Sequence, residues 1–156
     1  MPYFDSSSAT GLAFESATDK TPKSLQYIYK ACEHDGYENP SISRWESQGV
    51  FLLNTALTVE KGKANSHKQF WQDFTKRVIN YISIVNEDAI WLMWGKQAQT
   101  YIPYINPSSK NVLPILTAPH PAAEAYSGGK AGFITCKHFS KTNEILANKQ
   151  VAKIMW

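Results

Sequence analysis

At 156 residues, 43% hydrophobic and 19% charged, the chain is long enough to bury a core and needs only one domain, expected over 1–156. A net charge of +3 and a pI near 8.8 exclude neither an anionic partner such as DNA nor an ordinary enzyme, and 13% aromatic residues supply stacking surface as well as core. Two distant cysteines, Cys32 and Cys136, give neither a zinc nor a disulfide framework and read as buried thiols; no apolar run nears the roughly 20 residues of a membrane span, and Met1-Pro2-Tyr3-Phe4-Asp5 has no secretory pattern, so an intracellular, cytoplasmic chain without a membrane partner is expected.

Taken in order, residues 1–20 form a Ser-rich loop bracketed by Tyr3 and Phe14, which either wall a pocket or anchor a terminus. Thr21-Pro22-Lys23-Ser24 opens a helix to about Cys32, with Leu25, Ile28, Tyr29 and Cys32 on one face. Ile42, Trp45 and Glu46 predict a short helical turn. The run from Gly49 to Val59 follows, and its unbroken apolar stretch suits a strand covered on both faces, with Asn54 at its carboxyl end. Asn54 either opens the turn or presents an amide to the edge of a nucleobase. The polar segment Glu60 to Lys68 reads as a solvated loop or as one lying along phosphates.

From Gln69 to about Val85, Phe70, Trp71, Phe74, Val78, Tyr81, Ile82 and Val85 keep helical spacing and predict a core helix. Ala89 to Trp94 reads as a second buried strand. Gly95-Lys96 then turns into a helix near Gln97 to Tyr101, where backbone amides and a Lys suit a phosphate. Val112 to Leu116 is a third strand, placed at an edge by Pro114, and it leads to Ala118-Pro119-His120-Pro121. Ala122 to Gly132 reads as a loop, and a helix capped by Ser140 runs to about Lys149.

Three strand ends thus carry Asn54, Gly95-Lys96 and His120. A His between two prolines is rigidly aimed, as a hydrogen-bond donor to a developing anion must be, though a His after a strand also serves structure alone. No phosphate-loop or dinucleotide motif is present and the remaining His residues are scattered, so neither a cofactor nor a metal is expected. The residues by themselves describe a nucleobase-binding α/β domain.

Read together, the segments Ala9 to Phe14, Gly49 to Val59, Gly62 to His67, Trp94-Gly95, Ala118 to Pro121 and His138 to Glu144 closely resemble the family 1 uracil-DNA glycosylases. The resemblance implies a three-layer α/β/α fold with a short, mainly parallel sheet. It implies base flipping and hydrolysis of the N-glycosidic bond of uracil in single- or double-stranded DNA, by a monomer working in base excision repair. By the same resemblance Tyr3 rejects the thymine methyl, Phe14 stacks on the base, Asn54 pairs with its polar edge, and His120 is the catalytic donor to its O2. Ser24, Ala64, Asn65, Ser66, His67, Gly95 and Lys96 fall near or on the DNA backbone, and the loop from Pro121 to Gly132 matches the segment that enters the minor groove to hold the nucleotide out of the stack. The family's usual wedge is a Leu; the loop here is longer, and Tyr126 is the expected substitute.

The departure lies at the start. The family motif GQDPYH has its water-activating Asp where Met1 stands and its His where Phe4 stands, and the first central strand of a four-strand sheet is missing, leaving three candidates. A truncated chain is therefore expected, folding poorly and weakly active until an upstream segment with that Asp is restored. A catalytically dead uracil- or DNA-binding module and a plain nucleotide-binding domain are the rival expectations.

Overall fold

The computed structural model describes residues 9–18, 20–105 and 113–156. Among the described residues five α-helices are arranged about a short sheet: α1 (Lys23–His34), α2 (Lys68–Val85), α3 (Lys96–Gln99), α4 (Ala123–Ser127) and α5 (His138–Asn148), with strands β1 (Trp91–Trp94) and β2 (Ile115–Ala118). The strands are parallel, in the register Trp91 to Ile115 through Trp94 to Ala118.

Period-2 alternation along β1 divides the interior into two cores. Leu92 and Trp94 face a core built from Leu25, Ile28, Ala31 and Cys32 of α1, with Ile42, Trp45, Phe139 and Trp156. Trp91 and Met93 face the other, where Ile79 of α2 meets Tyr101, Ile105 and Leu113. The result is the expected α/β/α layering. In the first core Trp156 stands edge-on to Trp45 at 5.2 Å and to Phe139 at 5.1 Å between ring centroids. Such pairs are each worth about 0.5–1.5 kcal/mol beyond the area they bury. No helix among the described residues is long and apolar enough to cross a membrane.

Several expectations are corrected. Gly49 to Val59 is not a strand: Val50 and Leu52 pack on one core, Leu53 packs on the other, and Phe51 is 65% exposed. Side chains divided between two cores hold the segment by packing rather than by a ladder, and the sheet among the described residues has two strands instead of three. The strand expected at Val112 to Leu116 begins at Ile115, because Pro114 has no N–H to give; its carbonyl instead accepts the Trp91 N–H at 2.8 Å.

The long helix forms as expected, but its apolar row is not its buried row. Thr75, Ile79 and Ser83 are buried, whereas Phe70, Phe74, Tyr81 and Val85 are exposed and Trp71, Val78 and Ile82 half-buried. Contact with Met93, Tyr101 and Ile105 sets which row turns inward, and Thr75 Oγ1 donates to the Thr55 carbonyl at 3.0 Å.

Ser140 is not the cap of α5. The helix starts at His138, and the carboxylate of Asp35, just beyond α1, accepts both the Ser140 N–H at 2.8 Å and its hydroxyl at 2.7 Å. The loop after Pro121 contains a short helix, α4. Cys32 is buried and burial pushes its thiol up to about 12; Cys136 is only half-buried.

Candidate functional site

Because β1 and β2 are parallel with Trp94 opposite Ala118, their carboxyl ends coincide, and Gly95 and His120 meet there. Gly95 has φ +91°, and its N–H donates to the Ala118 carbonyl at 2.9 Å. A Cβ on Gly95 would lie 2.8 Å from that of His120, so only glycine permits this approach.

His120 Nδ1 accepts the Ala122 N–H at 3.1 Å. A ring nitrogen that accepts carries no proton, so the neutral ring has its hydrogen on Nε2. The outer side of His120 is open to solvent, but the ring is hemmed in by Gly95 and by Phe14, at 6.2 Å between centroids. This crowding withdraws water from the imidazolium and lowers the pKa below the usual histidine value. Phe14 also packs against Trp94 at 6.1 Å and has φ +72°, a backbone conformation that costs an aromatic residue roughly 1–2 kcal/mol.

Asn54 lies on a loop rather than on a strand. Its neighbour Thr55 is pinned twice: Gln97 Nε2 of α3 donates to Thr55 Oγ1 at 2.9 Å, and Thr75 holds the carbonyl. Gln99 Nε2 in turn donates to the carbonyls of Ala118 at 3.0 Å and Met93 at 3.3 Å. The bonds through α3 therefore tie the half-buried Asn54 segment to the two strand ends that carry Gly95 and His120. Lys96, the first residue of α3, is exposed beside them.

Other expected residues stand apart. Ala64, Asn65 and Ser66 form an exposed turn in which Ser66 Oγ accepts the Glu60 N–H at 2.7 Å; His67 Nδ1 lies 2.9 Å from Thr58 Oγ1. Ser24 is half-buried in the first turn of α1. Pro121 is fully buried, so it steers the chain inward, while Tyr126 on α4 is 91% exposed. Met1, Tyr3, Phe4 and Asp5 lie outside the described residues.

Sequence reasoning missed the frame behind the rim. His138, buried on α5, accepts the Trp94 indole N–H on Nδ1 at 2.9 Å and is hydrogen-bonded to the Thr117 backbone, so one imidazole ties both strands to α5. The one signal available was its place in the His138-Phe139-Ser140 run. Thr55 had only its place in the Gly49 to Val59 run, and Gln97 carried no signal.

Fold and rim define a class: an open α/β/α domain in which Gly95, His120 and Phe14 gather at the carboxyl ends of parallel strands, where such sheets bind their ligands. The chain belongs to the uracil DNA glycosylase superfamily, whose family model matches residues 2–147. It is 40% identical over 161 residues to a uracil-DNA glycosylase of Glaesserella parasuis, covering 99% of this chain and 70% of that protein. The corresponding protein of Blochmanniella floridana is 41% identical over 162 residues, with 99% and 71% covered. A crystal structure of mimivirus uracil-DNA glycosylase superposes with a TM-score of 0.80 at 25% identity, covering 96% of this chain and 60% of that one.

Proposed function

We propose that the chain is an intracellular, monomeric uracil-DNA glycosylase that acts on uracil flipped out of single- or double-stranded DNA. The observation that carries this reading is the engaged Nδ1 of His120, which leaves a neutral Nε2–H as donor on the rim shared with the Asn54 segment. In this reading Phe14 receives the face of the base. The Asn54 amide meets both the uracil N3 hydrogen and O4, a pairing that cytosine, with its reversed donor and acceptor, cannot satisfy.

When the bond between uracil N1 and sugar C1′ breaks, its electron pair passes to the base and spreads onto O2. His120 Nε2–H donates to that oxygen, the oxygen of a water molecule joins C1′, and the proton that this water sheds ends on the departing uracil anion, giving neutral free base. A neutral imidazole suits the role because it stabilises the anion without giving up its proton, and the lowered pKa keeps it neutral. Lys96 and the turn from Ala64 to His67 supply polar and positive groups for the phosphates, which position the strand but do not read it.

Binding and release of free base on oligonucleotides carrying one uracil, thymine or cytosine test the reading. Preferential retention and release from the uracil strand are expected, with release slowed about 10²–10³-fold in His120→Ala, as for loss of an oxyanion donor. Asn54→Ala should erase the preference over cytosine, a discrimination that buried hydrogen-bonding sites hold at about 10⁴-fold. Equal retention of uracil and thymine strands with no base released would sink it.

A further inference from the structure

The segment after His120 contains a fully buried acid that the reading above does not use. Glu124 is 0% exposed, and its carboxylate faces back into its own loop. Oε1 accepts the N–H groups of Phe133 at 2.5 Å and Ile134 at 3.0 Å, and Oε2 accepts that of Ala131 at 2.9 Å. The Glu124 carbonyl accepts the Gly129 N–H at 2.9 Å, and Ser127 Oγ accepts the Lys130 N–H at 3.1 Å. Gly128, Gly129 and Gly132 all have positive φ, which lets the backbone curl until its amides converge on one carboxylate. Burial by itself would raise the carboxyl pKa, but the amides of Ile134, Ala131 and Phe133 outweigh it and hold the group ionised below the usual range.

The braced loop has two fixed ends and one free surface. At one end the Ala123 N–H donates to the His120 carbonyl at 2.8 Å; at the other Phe133, fully buried, stands edge-on to Trp94 at 5.0 Å. Both ends are thus seated on the strand termini that carry the rim. Between them Tyr126 projects into solvent from α4.

We propose that Glu124 is a positioning residue that makes the loop from Ala122 to Ile134 a rigid bracket, so that Tyr126 is held ready to enter duplex DNA in place of an extruded nucleotide. The inference rests on the uracil-DNA reading and deepens it. A wedge must displace a stacked base, and a flexible loop would spend that interaction on ordering itself. A single strand has no stacked partner to displace. The brace therefore matters for duplex and not for single-stranded substrate.

The test compares the whole chain with Glu124→Gln, Tyr126→Ala and Ser127→Ala on one uracil-containing strand, alone and in a duplex with 2-aminopurine beside the uracil. Amide hydrogen exchange of the free proteins is followed in parallel. Glu124→Gln turns an amide N–H₂ toward one or more backbone donors, and it should weaken the duplex complex at least tenfold, abolish the 2-aminopurine rise, and leave single-strand binding within about twofold. Tyr126→Ala should lose the same fluorescence rise. Ser127→Ala, which removes the bond at Lys130, the hydroxyl's bond to the Glu124 carbonyl at 3.4 Å and its help to the Glu124 carboxylate but leaves the three backbone amides, should act in the same direction but less. Protection at Ala131, Phe133 and Ile134 should fall in Glu124→Gln while that of α5 stays.

Unchanged duplex binding and fluorescence in Glu124→Gln would overturn the proposal, as would equal loss on both substrates. If that variant does not fold, a wild-type 2-aminopurine response in both Tyr126→Ala and Ser127→Ala overturns it. A wild-type chain that prefers uracil on neither substrate overturns the parent reading and this one with it.

Discussion

His120 owes its direction to two neighbours of different kinds. The Ala122 N–H occupies Nδ1, and the bare Cα of Gly95 lets the ring lie against the end of β1. Gly95→Ala puts a methyl group against backbone and side chain of His120 at a residue with φ +91°. We expect a loss of about 1–2 kcal/mol of stability from the positive φ alone. Uracil release should also slow by about 10²-fold, the effect of misplacing a catalytic group by roughly 1 Å. Single-turnover rates and urea titrations check this; an unchanged rate would mean that Gly95 does not seat His120. At this scale the sequence was informative. Phe14, Asn54, Gly95 and His120 could be singled out because each residue type carries its chemistry with it. Glu124 could not, since three amides up to ten residues away give it its meaning.

Among the elements, α5 shows how a helix end is satisfied from outside its own sequence. Its first turn relies on Asp35, some hundred residues earlier, which takes both the backbone N–H and the hydroxyl of Ser140. Asp35→Ala should cost about 1–2 kcal/mol, the usual effect of removing a helix cap, and Asp35→Asn distinctly less. Urea midpoints measure both, and equal midpoints for Asp35→Ala and wild type would show that Ser140 caps the helix locally after all. Helices α1 and α2 were legible in hydrophobic spacing to within a residue or two. The inward row of α2 was not, because Phe70, Phe74 and Tyr81 satisfy the same periodicity as Ile79 and only the placement of Met93 and Tyr101 chooses between them. The apolar run at Val50 to Leu53 misled for a related reason: continuous hydrophobicity fits a central strand and equally a segment shared between two cores.

Across the whole molecule, the two layers are joined at one imidazole. His138 is buried between Trp94 of β1, Thr117 of β2 and α5, and its pKa is lowered, chiefly by burial and then by the charge of Lys141. Burial keeps the folded form neutral. Above the unfolded value near 6.5 both states are neutral and stability is at its full level. As pH falls below that value, the unfolded chain takes up a proton that the folded chain resists, so stability declines until the folded pKa is passed. Thermal unfolding followed from pH 8 to pH 5 should show a plateau and then a fall in Tm. His138→Gln can still accept from Trp94 and donate to Thr117, and it should flatten the His138 share of that fall, leaving the share of His120, whose pKa is lowered in the same sense; an undiminished slope would place the titrating group elsewhere.

What the sequence by itself determined is the chemistry available and its order along the chain: an amide after an apolar run, a glycine after β1, a histidine between prolines after β2, and the segments that resemble the glycosylase family. These are local properties, set by residue type, spacing and backbone freedom. Only the tertiary structure decided which groups stand together, because parallel pairing of Trp94 with Ala118 brings Gly95 to His120, and the bonds of Gln97 and Thr75 draw in the Asn54 loop. Burial and hydrogen bonding between distant residues depend on where the chain passes itself, and a period in a sequence carries no record of that.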